Sequence, residues 1–196
     1  SMGGLRHHAS EAAEQLREMA INRPTHVFVQ AGVGSLAGAV VGYFTNLYPD
    51  NPPTFVVVEC APAACLYKAL PGDGDPRIVD GDMPSIMAGL CCGEPNILGW
   101  DILRNHTTAF VSCPDWVTAR GMRTLALPRR RPARHLRRVR AVTTGLVETL
   151  MLDPEYAELK ELIGWTDELR ALLSTEGDTD PDQYRRIVWE GEYPTC

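Results

Sequence analysis

The sequence predicts an α/β domain with a mainly parallel sheet and helices on both faces. Three observations carry that expectation. Short apolar runs rich in β-branched residues alternate with stretches of helical periodicity along the chain. The runs at Phe55–Glu59 and Ala109–Cys113 have the pattern of strands covered on both faces. The run Val27-Phe28-Val29 passes through Gly32-Val33-Gly34-Ser35 straight into a small-residue helical pattern. A strand, a turn with almost no side chains and a helix N-terminus thus follow one another, and ligands of such sheets lie at the carboxyl ends of the strands.

The elements follow in order. Glu11–Ala20 has helical spacing and Pro24 closes the linker behind it. Thr25–Gln30 reads as a strand and Ser35–Leu47 as a helix. Gly34, Gly38 and Gly42 recur every four residues in that helix, a glycine face that can lie close on a sheet. Asn51-Pro52-Pro53 is a turn before the strand Phe55–Glu59. Pro62 stands near the start of a helix expected to reach Leu70. Pro71–Pro76 is a loop, Arg77–Val79 a short strand, and Pro84–Leu90 and Gly99–Arg104 short helices around Gly93-Glu94-Pro95-Asn96. The strand Ala109–Cys113 leads through Pro114 into the helix Asp115–Met122. Val142–Leu150 and Pro154–Ile163 have helical spacing, Leu169–Ser174 reads as the last strand, and Asp180–Trp189 is a closing helix with Pro181 in its first turn.

Composition narrows the function classes. The chain has 196 residues, 44% hydrophobic and 22% charged, enough for one domain with a core of its own. No apolar run approaches the length of about 20 residues that a membrane span needs. The opening residues SMGGLRHHAS have no secretory leader, and Ser1-Met2 reads as a tag remnant before a start methionine, so a cytoplasmic location is expected. The net charge of −6 does not steer the chain towards polyanions. None of the six cysteines forms a C-x-x-C pair and the five histidines are scattered, so reduced thiols and no metal site are expected.

The glycine turn offers backbone N–H groups and the positive end of a helix dipole to an anion. From spacing alone it has three readings. As a dinucleotide site, Gly32-x-Gly34-x-x-x-Gly38 is close to G-x-G-x-x-G, with Glu59 as the ribose ligand; the third glycine is one place late and Glu59 lies far downstream. As a monophosphate cradle for a cofactor such as pyridoxal phosphate, it needs only one loop's donors, a hydroxyl such as Ser35, a neutral hydroxyl such as Ser174 or Thr175 near the pyridine nitrogen, and a lysine. As a packing device, it is a tight turn and nothing more.

Longer motifs separate these readings. THVFVQAGVGSLAGAVVGYF, GDMPSIMAGLCCGEPNILGWDILRN, AFVSCPDWVTARGMRTL, AVTTGL and LLSTEGDTDPDQYRRIVWEGEYP together resemble the diaminopropionate ammonia-lyases, pyridoxal-phosphate enzymes of fold type II. GEPN-x-x-GW and STEGDTDP are far more specific than the glycine turn. The resemblance implies that Gly32, Val33, Gly34 and Ser35 wrap the cofactor phosphate. It places Ser174 and Thr175 at the strand end facing the pyridine nitrogen, with Thr175 as the favoured partner. It implies the C-terminal part of a fold-type-II enzyme, a small amino-acid substrate, and conversion of 2,3-diaminopropionate to pyruvate and ammonia by α,β-elimination. A homodimer is expected and a nucleic-acid partner is not. An NAD(P)-binding Rossmann-type protein and a non-catalytic module using an arginine-rich loop are the alternatives.

Two departures from the family pattern limit what is expected of this chain alone. The family's Schiff-base lysine belongs to an N-terminal half without a counterpart here; Lys68 and Lys160 both read as surface lysines on helical segments. A truncated chain, inactive without a lysine-bearing partner, is therefore expected. Seven of the 17 arginines crowd into Arg129–Arg140, where the family has a run like GDPRVISGESGA. Codons chosen for Arg130–Ala141 and read one base later can spell that run, and Gly4–Ala9 can be reread in the same way. The gene's nucleotides test this. The expected organisation is thus a tag and unrelated start (1–8), an α/β core (9–127), a frame-shifted or disordered arginine loop (128–140), and closing helices with the last strand (141–196).

Overall fold

The computed structural model describes residues 10–14, 16–18, 20–70, 74–127, 138–169, 171–173 and 181–194. Four strands, β1 (His26–Gln30), β2 (Thr54–Cys60), β3 (Ala109–Cys113) and β4 (Ala171–Leu173), form one parallel sheet in the order β3-β2-β1-β4. Residues 10–14 and 16–18 are helical. The longer helices are α1 (Ser35–Leu47), α2 (Ile97–His106), α3 (Asp115–Ala126), α4 (Arg138–Leu152), α5 (Ala157–Leu162) and α6 (Pro181–Val188).

Strand alternation sorts the core into two layers. Val27, Val29, Phe55, Val57 and Phe110 pack with Ala37, Val41 and Phe44 of α1 and Trp100 and Leu103 of α2. Phe28, Val56, Val58, Ala109 and Cys113 pack on the other face with Val117 and Met122 of α3, Val142 and Leu146 of α4 and Ile187 of α6. The expected sheet with helices on both faces is thus present. The strand order runs outward from β1 to β3 on one side and places β4 on the other side of β1. This reversal makes the carboxyl ends of β1 and β4 the topological switch point, where open α/β sheets bind ligands.

Several local expectations change. Pro62–Leu70 is not an α-helix but two 3₁₀ turns, Ala61–Ala63 and Tyr67–Ala69. The buried Glu59 carboxylate takes the N–H groups of Leu66 (3.0 Å) and Tyr67 (2.7 Å), which a continuous helix would have bonded to its own carbonyls. Arg77–Val79 is not a strand; Val79 N–H donates to the Gly93 carbonyl at 2.9 Å and holds the coil there. Only Ala88–Leu90 of the segment Pro84–Leu90 is helical, as a 3₁₀ turn.

The glycine face of α1 meets α2, not the sheet. A Cβ at Gly38 would stand 2.8 Å from Gly99 Cα, and one at Gly42 would touch Ile102. A second glycine crossing joins α3 to α4: a Cβ at Gly121 would lie 1.9 Å from the Ala141 carbonyl oxygen. Of the arginine stretch, residues 128–137 lie outside the described residues, and α4 begins at Arg138.

Candidate functional site

The glycine loop leaves β1 at the switch point. Ala31 N–H still pairs with the Val58 carbonyl at 2.8 Å, and the chain then turns through Gly32–Gly34 into α1. Gly34 is the N-cap, with φ of 89° and no side-chain cap. That left-handed conformation strains any residue with a Cβ, and its surroundings leave little room, with Leu66 Cδ1 at 3.2 Å. The N–H groups from Gly32 to Ala37 donate to no other described residue, and α1 has no acidic residue in its first turn. Ser35 is the first residue of α1 and is half-buried. The loop therefore presents a row of unclaimed donors and the positive end of α1 to an anion.

Two neighbouring segments hold the loop in shape. Asn96 N–H donates to the Val33 carbonyl at 2.7 Å, and the Asn96 side chain caps α2 by accepting from Gly99 N–H at 2.8 Å. Gly99 must lack a side chain, because a Cβ there would fall 2.6 Å from the Gly34 carbonyl oxygen. The GEPN-x-x-GW motif is thus the clamp that fixes the Val33 carbonyl and packs Gly99 against Gly34. On the other side, the Leu90 backbone lies 3.3 Å from where a Gly32 Cβ would stand. Leu90 is carried by the 85–90 segment, which Asp115 anchors at the start of α3: its carboxylate accepts from Ser85 Oγ at 2.6 Å and from Ile86 N–H at 3.2 Å.

Three buried polar groups flank this loop. Gln30, the last residue of β1, is 2% exposed, and neither its side-chain oxygen nor its nitrogen has a partner among the described residues. Glu59 closes on Leu66, Tyr67 and the Cys65 thiol, and burial pushes its pKa up to about 7 against the pull of the two backbone N–H groups. Cys60 Sγ lies 3.5 Å from Cys91 Sγ, and burial pushes the Cys60 thiol up to about 12.

These positions decide among the sequence readings. The dinucleotide alternative fails at Glu59, whose carboxylate is already taken by the Leu66 and Tyr67 N–H groups and is not free for a ribose. Gly32, Val33, Gly34 and Ser35 are brought together as one loop. Ser174 and Thr175 lie outside the described residues, as does the arginine stretch 129–137. Lys68 is exposed on the turn Tyr67–Ala69. Lys160 is in α5, whose following residue Ile163 binds His26 Nε2 at 2.7 Å, at the amino end of β1 and so away from the loop. Cys60, Cys65 and Cys113 are buried free thiols, while Cys92 is exposed.

Sequence reasoning missed Gln30 and Asp115. A polar residue ending an apolar strand just before a glycine turn was the available signal for Gln30. The acidic residue after Pro114 signals in sequence only a helix start.

Residues that can hold a monophosphate without a charged side chain fit a pyridoxal phosphate group: the row of N–H donors, the Gly32 surface closed by Leu90, and the unsatisfied Gln30 amide at the switch point. Comparison with known proteins agrees. The family model described as pyridoxal-phosphate dependent enzyme matches residues 2–131. The chain is 46% identical over 189 residues to a diaminopropionate ammonia-lyase of Salmonella typhimurium, covering 93% of this chain and 46% of that protein. It also matches the crystal structure of the Escherichia coli diaminopropionate ammonia lyase in complex with an aminoacrylate-PLP azomethine reaction intermediate. There the TM-score is 0.83 and the identity 44%, over 98% of this chain and 49% of the other. The processed form of threonine deaminase isoform 2 from Solanum lycopersicum, 14% identical with a TM-score of 0.70 over 94% of this chain and 49% of the other, shares the fold alone. The chain spans about half the length of the ammonia-lyases it matches.

Proposed function

We propose, since the chain belongs to the pyridoxal-phosphate dependent enzyme family, that Gly32-Val33-Gly34-Ser35 cradles the cofactor phosphate in an ammonia-lyase of fold type II. The observation that carries this reading is the loop itself: six successive N–H groups without a partner among the described residues, at the switch point of a parallel sheet. The reaction proposed is α,β-elimination from 2,3-diaminopropionate to pyruvate and ammonia, which the likeness to the diaminopropionate ammonia-lyases supports.

The cofactor, when bound, supplies an electron sink that makes the α-proton of an amino acid acidic. The chain's own part is to bind and orient. The N–H row and the α1 dipole take the phosphate dianion, and Asn96 N–H holds the Val33 carbonyl. The backbone at Leu90 fills the space beside Gly32. Ser174 and Thr175 are proposed to meet the pyridine nitrogen, Thr175 foremost. A neutral hydroxyl there tempers charge build-up on the ring and suits elimination.

Lys160 belongs to the other end of the sheet and Lys68 is exposed on the turn Tyr67–Ala69, so catalysis is proposed to need a lysine from outside these residues. A homodimer is proposed as the assembled form, supported by apolar side chains left exposed at Ile97, Leu98 and Trp189. A cytoplasmic setting is proposed as well, in keeping with the buried free thiols. No helix among the described residues is long and apolar enough to cross a membrane.

The test is a thermal melt with increasing pyridoxal phosphate, inorganic phosphate or NADH. Pyridoxal phosphate is expected to raise the midpoint by linkage, about 2.7 kcal/mol at a hundredfold excess over its dissociation constant. No response to pyridoxal phosphate together with a rise in NADH would end this reading.

A further inference from the structure

We propose that Gln30 is a ligand of the bound cofactor's ring, reaching it with a side-chain amide that the described protein leaves unsatisfied. The inference rests on the phosphate-loop reading above. Gln30 ends the central strand that borders the switch point, two residues beyond the last pair between β1 and β4, Phe28↔Leu173. Its neighbour across the sheet is Val58, a member of the apolar layer that also holds Cys60, Met87 and Leu90. Nothing described there offers the amide a hydrogen bond, and both of its heteroatoms are orphans. A buried amide left without partners destabilises the fold. A Met or Leu would fill the same space without that cost. The position thus carries a polar group whose partner is external to the described residues.

The direction of the strand separates this role from phosphate binding. Val27 and Val29 face the layer of α1 and α2, and Phe28 faces the layer of α3 and α4. By alternation Gln30 follows Phe28 and faces away from α1, whose N-terminus is the phosphate end. A ligand held by its phosphate at α1 and lying across the carboxyl end of β1 brings its ring to the Gln30 side. The amide carries both an N–H donor and a carbonyl acceptor, so it can meet an oxygen or a protonated nitrogen of a polar aromatic ring.

The test uses the whole chain and 4′-deoxypyridoxine 5′-phosphate, a ring phosphate without the aldehyde that would react with Lys68 or Lys160. Wild type, Gln30→Met and Gln30→Leu are melted without ligand, then titrated calorimetrically with the analogue, and again in competition with inorganic phosphate. The expected result has three parts. Free Gln30→Met melts no lower than wild type, and up to about 2–4 °C higher. Its affinity for the analogue falls on the order of tenfold, the loss of one hydrogen bond. Its inhibition by inorganic phosphate is unchanged. Wild-type affinity for the analogue retained in both variants overturns the role of Gln30 and leaves the phosphate loop standing. Variants that unfold or melt well below wild type overturn it too, because the amide would then be satisfied within the protein. An equal loss of inorganic phosphate binding would assign the effect to the loop, not the ring. Absence of analogue binding to the wild type removes the phosphate-loop reading, and this inference with it.

Discussion

Glu59 is the residue on which two sequence expectations turned, one for a ribose ligand and one for a helix over 62–70. Its carboxyl is buried behind β2, where desolvation disfavours the charge that the Leu66 and Tyr67 N–H groups would favour. The balance lifts its pKa from 4.5 to about 7. An acid with a raised folded pKa lends stability that is complete below its unfolded pKa and lost as pH rises through the folded one. The protein is therefore expected to lose on the order of 3 kcal/mol from this group between about pH 4.5 and pH 7. Urea midpoints at pH 5 and pH 8 read it out, and in Glu59→Gln that pH-dependent component is expected to vanish. An unchanged pH slope in the variant would remove Glu59 as its source. A second test at this scale is Gly34→Ala. The left-handed φ and the Leu66 contact are expected to cost about 1–2 kcal/mol of stability and to weaken ring-phosphate binding, measured by melting and by titration.

Elements were legible where one period dominated. The strands β1, β2 and β3 and the helix α1 stand within a residue or two of the expected bounds, because their apolar runs and the glycine turn have no competing pattern. The stretch 61–70 was not, because a carboxylate from another element takes the N–H groups, and no local period encodes that. The glycines of α1 had legible spacing but an illegible partner, since contact with α2 depends on the GEPN segment folding back. The α3–α4 crossing is the extreme case of such packing. Gly121 and Gly145 bring two helix backbones together with no space for a side chain on either, since a Cβ at Gly145 would lie 1.8 Å from the Val117 carbonyl oxygen. Gly121→Ala is expected to cost more than about 3 kcal/mol, beyond ordinary overpacking, because the atoms met are backbone. Asp115→Ala frees the 85–90 segment instead. Its expected stability cost is about 1–3 kcal/mol, accompanied by weaker ring-phosphate binding, because Leu90 no longer lies fixed beside Gly32.

At the scale of the molecule, alternating strands and helices announced a parallel sheet, and the order β3-β2-β1-β4 put the glycine loop at the one place where such a sheet takes a ligand. Strand order itself was not readable, since parallel pairing is set by crossovers and not by local pattern. The same topology leaves Ile97 and Leu98 exposed at the start of α2, next to the loop clamp Asn96, and Trp189 exposed beyond α6. Exposed residues of this size scattered singly need no partner, but adjacent ones at a site rim mark an interface more often. The proposed homodimer is expected to appear in light scattering at micromolar concentration as twice the 21.6 kDa chain. The double substitution Ile97→Ser with Leu98→Ser is expected to shift it towards monomer if the rim forms the contact, and Trp189→Ser if the far end does. The two differ in consequence: a rim interface would couple assembly to ring-phosphate affinity, so dilution would weaken binding, whereas a distant one would leave it flat. A monomer at every concentration would remove the homodimer altogether, and with it any need for a partner copy at these apolar side chains.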